Sequence, residues 1–353
     1  MGDAIVQTAE SPVNELAIGS KDEFAKFMTV PEYWSNNTKV KLTCNIDMEG
    51  AIFKPIEKFS GEFNGFGYTV SNFGVQDSHE LFKKFELAFI KTMSETAVFE
   101  NVTFDNYSVK DTGSSTILPS SYKAAGLVIN NKGYISGVNL KNSSMVNVNK
   151  TSNHGKAAGF VLNNVKLNEK KDEIVLNNKA DERNLIKGCS IRDCSVEMKT
   201  EKSNIDAGFV YSNDRIIQNC ESNLNIESKY KGYLGGFCGE NLKDGTIVGC
   251  NFSGSVKAMN LATAGGFVGV NYGKIMHCNA RENVNGGKNV GGFVGRNAAG
   301  IISVCKSTGI GIGSIGTVNG IKNIGGFVGL NEAKIVLSNA NSKAIAKTVG
   351  AFS

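Results

Sequence analysis

Proline, histidine and tryptophan are nearly missing from this 353-residue chain, at four, three and one residues. With so little proline, the 41 glycines cannot belong to a collagen-type helix. They also argue against long α-helices, because each interior glycine costs a helix about 1 kcal/mol. No run reaches the roughly 18 consecutive apolar residues of a membrane-spanning helix. The opening residues Met1 to Val6 lack the basic and apolar segments of a secretory leader. Val6 also stands where an N-myristoylation pattern needs Ser or Thr.

What is present is 41% apolar and 20% charged, enough to bury a core and too apolar for a disordered chain. The net charge of +5 is unevenly spread. From Gly235 onward, 11 Lys and Arg face only Glu240, Asp244, Glu282 and Glu332. That half is expected to attract anionic polymers weakly, in a manner that salt screens.

Self-similarity decides the fold class. Gly265-Gly266-Phe267-Val268-Gly269-Val270-Asn271 recurs around Phe293 and Phe327, and with Cys238 in place of valine around Phe237. Weaker copies surround Phe209, Phe160 and Leu127, and a half copy ends at Phe352. The copies are 25 to 49 residues apart, which reads as a constant scaffold carrying loops of variable length. Four residues after each Phe or Leu stands an asparagine: Asn131, Asn164, Asn213, Asn241, Asn271, Asn297 and Asn331. An Ile then precedes a small residue by three positions, giving Ile217/Cys220, Ile247/Cys250, Ile275/Cys278 and Ile302/Cys305.

Each unit therefore reads as short strands separated by turns, with no segment long enough for a helical crossover. Coiling the chain stacks equivalent residues about 4.8 Å apart and pairs the strands in parallel. The Phe and Ile columns become internal apolar ladders. The Asn column becomes an amide ladder at a corner, where Asn tolerates positive φ. These constraints give a right-handed parallel β-helix. Ser20 and Glu23 form a capping-box pattern ahead of Phe24, Phe27 and Met28, so a short helix is expected to cap the N-terminal end.

The unit Gly-Gly-Phe-Val-Gly-x-Asn-x-Gly-x-Ile-x-x-Cys resembles the GLUG motif of bacterial adhesin-like surface proteins. Ile18 to Phe24, Val40 to Asp47 and Phe59 to Phe73 look like the module that precedes such repeats. The resemblance implies one β-helix domain over 16–353 behind an N-terminal extension, 1–15. Within it, 16–110 form the cap and first coils, and 111–353 the repeat coils with a charged insertion at 165–185. The units at Phe160 and Phe209 lack the glycine two residues beyond Phe, so their turns are expected to differ. Some relatives are zinc peptidases, but His79-Glu80 has Lys83 where the second histidine is required, so peptidase activity does not carry over.

The remaining candidates for chemistry weigh against catalysis. Cys220, Cys250, Cys278 and Cys305 share one repeat position and none of the C-x₂-C spacing of a zinc site, so a buried, reduced thiol ladder is expected. Cys189 and Cys194, five apart, suit successive strands of one coil. His79, His154 and His277 read as ordinary surface residues, His277 pointing outward if Cys278 points inward. A β-helix lyase or hydrolase needs clustered carboxylates on one exposed face. The four acids after Gly235 share no repeat position, and Glu169 to Glu182 are interleaved with lysines.

The expected function is a non-catalytic, adhesin-like or structural β-solenoid, without cofactor or metal, that presents a repetitive face for binding or assembly. Its partner would be a protein or glycan, an anionic one included, with self-association through the C-terminal edge at Val349 to Ser353. The resemblance places it at a cell surface or outside the cell; the residues themselves leave a cytoplasmic location open. The alternative is a polysaccharide-acting β-helix enzyme or a tailspike-like glycan binder.

Overall fold

The computed structural model describes residues 14–80, 83–113, 119–147, 155–165, 185–198, 204–228, 232–258, 262–281, 283–308, 311–315, 323–341 and 344–348. The N-terminal extension to residue 13, the charged insertion at 166–184, His154 and the edge at Val349 to Ser353 lie outside them. The chain is a parallel β-helix whose strands form four sheets of 11, 12, 13 and 9 strands. One coil shows the plan. Val268–Asn271 lies in the nine-stranded sheet, Lys274–Met276 in the eleven-stranded sheet and Asn279–Ala280 in the twelve-stranded sheet. Val284–Asn285 and Asn289–Gly291 then close the coil within the thirteen-stranded sheet. Each strand pairs with its equivalents one coil before and after, as in Asn241↔Asn271↔Asn297↔Asn331.

The apolar ladders form as the repeat pattern requires. Phe160, Phe209, Phe237, Phe267, Phe293 and Phe327 stack nearly face to face, with centroids 4.7 to 5.0 Å apart. Their backbones pair as well, Phe267 donating to Phe293 at 2.8 Å and Phe293 to Phe327 at 2.9 Å. The first five rings are fully buried, whereas Phe327, the last in the described stack, is only partly buried. Ile135, Ile186, Ile217, Ile247, Ile275 and Ile302 form the parallel aliphatic column.

The helix Lys21–Thr29 caps the N-terminal end. The Ser20 hydroxyl accepts from the Glu23 N–H at 3.3 Å, and the Glu23 carboxylate accepts from Gly19 N–H at 2.8 Å. That backbone donor, with the Ser20 hydroxyl, holds the Glu23 carboxyl below its ordinary range. Because the shift is downward, its contribution to the cap is present at neutral pH and is lost as acid protonates the group. Phe24 and Phe27 pack edge-on or tilted against Phe73 and Phe63, at 5.5 and 5.2 Å, so the helix covers the core end.

The glycine pairs solve a spacing problem. A Cβ on Gly236 or Gly266 would lie 2.2 Å from the carbonyl oxygen of the equivalent glycine in the next coil. A Cβ on Gly265 would meet Val268 O at 2.0 Å and Gly295 N at 2.7 Å, so two strands lie backbone against backbone there. The units at Phe160 and Phe209 keep the same strand register despite lacking the glycine two residues beyond Phe. Ala125, Ala158 and Ala207 occupy the first-glycine position in those coils, and Ile129, Leu162 and Tyr211 fill the gap as a small separate core.

Replacing Phe293 with Ala removes the middle of a stack that cannot close up. The expected cost is about 3–5 kcal/mol, read as a lower denaturant midpoint.

Candidate functional site

Two internal columns carry polar atoms. In the first, each Asn amide donates Nδ2–H to the Oδ1 of the next coil. Asn131, Asn164, Asn213, Asn241, Asn271, Asn297 and Asn331 form six such bonds of 2.8 to 3.0 Å. The first six are buried. They close the strands Val-x-x-Asn without positive φ, which corrects the corner-conformation reason given for them. Positive φ falls instead on the residue before the thiol column: Asn101, Gly137, Gly188, Asn219, Gly249, His277, Val304 and Leu337. This is why His277 points outward, rather than simple strand alternation.

The thiol column holds five cysteines. Cys189, Cys220, Cys250, Cys278 and Cys305 are buried, and each donates to the carbonyl two residues earlier at 3.1 to 3.3 Å. The backbone N–H groups of Cys189, Cys220 and Cys250 each donate to the next coil's sulfur at 3.4 Å. Ser338 takes the same place in the last coil, accepting from Cys305 N–H at 3.3 Å. Burial pushes the Cys189, Cys220 and Cys250 thiols well above their ordinary range. All eight cysteines are free. Ile186 and Cys189 keep the Ile-x-x-Cys spacing, so Cys189 was legible as a column member. Cys194 sits at the next corner, half-buried, accepting from Ser143 N–H at 3.4 Å.

His79 is not a surface residue. Its Nδ1 lies 2.9 Å from an Asp111 carboxylate oxygen, with both side chains fully buried. The pair ties together the segments that follow and end the paired strands Thr69–Asp77 and Thr103–Asp111. Its partner lies 32 residues away in no repeated pattern, so no spacing signal pointed to the pair. Among the described residues, no group of three or more His, Cys, Asp or Glu is placed to hold a metal ion.

The outer face of the twelve-stranded sheet is the candidate binding surface. Thr69, Thr103, Asn139, Ser190, Glu221, Asn251, Asn279, Lys306 and Asn339 stand in register, one per coil. Neighbours bond along the column, Ser190 Oγ to Asn139 Oδ1 at 2.7 Å and Asn279 Nδ2 to Asn251 Oδ1 at 2.9 Å. A groove of about 730 Å³ runs over this face between Thr103 and Asn251. Its charged lining, Lys141, Arg192, Asp193 and Glu221, balances in sign, and Arg192 is paired with Glu221.

No protein-family model, curated protein or solved structure matches the chain.

Two outcomes are expected. Cys250, Cys278 and Cys305 react with a thiol reagent only on unfolding, measured by labelling with and without denaturant. Replacing Val304 with Gly removes a left-handed β-branched residue from the exposed corner. Relief of about 1–2 kcal/mol exceeds the entropy that glycine returns to the unfolded chain, so the melting midpoint rises.

Proposed function

We propose that the protein is a non-catalytic, GLUG-like surface scaffold that binds an extended protein or glycan along the outer face of its twelve-stranded sheet. The observation that carries this reading is the in-register polar column from Thr69 to Asn339, which offers the same kind of contact once per coil. Short Asn, Ser and Thr side chains on paired strands lose little conformational entropy on binding. A partner spanning several coils adds contacts of modest individual strength, which suits adhesion. The groove's carboxylates favour this over cleavage, because Glu221 is already engaged by Arg192. An extracellular or cell-surface location belongs to the same reading.

The test is retention of the protein on immobilised linear polysaccharides and fibrous proteins, with Ser190→Trp and Asn251→Trp as outward-facing variants. Retention should rise with polymer length and be lost in both variants at unchanged thermal midpoints. Release of shortened polysaccharide would replace this reading with the polysaccharide-acting enzyme; retention indifferent to both variants would remove the face from consideration.

A further inference from the structure

A second groove lies on the N-terminal coils, ahead of the regular repeats. It measures about 780 Å³ and is lined by Ser35, Asn36, Glu57, Lys58, Ser60, Thr92, Ser94, Glu95, Thr96 and Lys132. That volume falls within the range of small-ligand sites, but the walls carry hydroxyl, amide and charged groups with no aromatic or aliphatic side chain. The turn residues stack by coil: Ser60 N–H donates to Trp34 O at 2.7 Å, Ser94 to Phe59 O at 2.9 Å and Lys132 to Met93 O at 3.2 Å.

This position is serine only here. The residues following the aligned strand ends in later coils are Val165, Asp214, Leu242, Tyr272, Ala298 and Glu332. Stacking alone therefore does not require a hydroxyl at this turn. The two serines at this turn, Ser60 and Ser94, fall where the concavity opens, which makes a functional reason the economical one.

The hydroxyls are also held in place. Ser94 and Thr96 lie 3.2 Å apart, Thr96 donates to Ser60 O at 3.1 Å, and Ser35 is within 2.9 Å of Thr38. A hydroxyl whose proton is committed in this way is fixed in direction and keeps acceptor capacity for a ligand. Glu57 is paired with Lys91 at 2.6 Å. Among the described residues, Lys58 and Glu95 form no ion pair, leaving one free cation and one free anion in the groove.

We infer that this groove binds a short, uncharged, hydroxyl-rich ligand, namely a neutral oligosaccharide. Two lysines and two glutamates line it, so it carries no net field for an anionic chain. The surplus of basic residues lies beyond Gly235, away from it. Glu95 and the oxygens of the pinned hydroxyls accept from sugar hydroxyls, and Lys58 donates to them. The site is independent of the repeated face described above.

Calorimetric titration of the full chain tests this with neutral linear hexasaccharides of gluco, manno, xylo and N-acetylgluco type, and with hexagalacturonate, at low and high salt. At least one neutral hexasaccharide should bind one per chain, with affinity changed less than about twofold by salt. Glu95→Gln should weaken it about tenfold, the loss of a hydrogen bond to a charged group. Ser94→Trp should abolish it, while Ser190→Trp, in the other groove, should leave it intact. Binding by none of the neutral sugars overturns the inference. So does preferential, salt-sensitive binding of hexagalacturonate, or neutral binding unaffected by both Glu95→Gln and Ser94→Trp at unchanged thermal midpoints.

Discussion

Each residue in this chain must live with its own equivalent one strand spacing above and below it. That single constraint selects what the interior can contain. Aromatic rings satisfy it by stacking, which the Phe column does at 4.7 to 5.0 Å, close to the interstrand distance. Buried charge could not satisfy it, because like charges would repeat down the column in low dielectric. Asparagine can, since its amide both donates and accepts, so a column of identical side chains bonds to itself without leaving an interior donor unmet. A cysteine column works differently: each thiol donates to a backbone carbonyl, and burial opposes the thiolate at Cys189, Cys220 and Cys250.

The same constraint explains which parts of the fold were legible. The Phe, Ile and Asn columns could be read because one residue type returns at a fixed offset, whatever the loop length between copies. Cys189 obeyed the Ile-x-x-Cys offset but stood next to the longest interval, where the repeat is hardest to follow. The left-handed corner was hidden for another reason. Its occupants, Asn219, Gly249, His277, Val304 and Leu337, share a backbone conformation and no side-chain chemistry. The layer between strands was hidden by exchange: alanine with Ile129, Leu162 or Tyr211 in some coils, and paired glycines in others, fill one space in two ways.

The candidate site was less legible than the fold because the motif residues point inward. Outward positions of the twelve-stranded sheet change identity from Thr103 to Asn139, Ser190 and Glu221, so no column of one letter marks the surface. Only the register, which places these different polar residues in one line, joins them into a face. The groove near Ser60 and Ser94 has the same character, since its walls come from two strands and from turns of four successive coils.

The direction of the amide ladder adds a further consequence. Every Nδ2–H along Asn131 to Asn331 points toward the later coil, so the side-chain dipoles align head to tail and polarise one another. An interior asparagine therefore supports both neighbours, and its loss strands a donor in one coil and an acceptor in another. Bonds to the following turn back up the ladder: Asn131 Oδ1 accepts from Gly133 N–H at 3.1 Å, Asn213 Nδ2 donates to Arg215 O at 2.9 Å, and Asn331 Nδ2 donates to Ala333 O at 2.9 Å. Before Asn131 the paired positions are Met93 and Phe59, which stack as apolar residues instead. The ladder thus begins where the N-terminal coils give way to the regular repeats. Those earlier coils are free of the amide rule, and it is there that Ser60 and Ser94 follow the strand ends and the second groove opens.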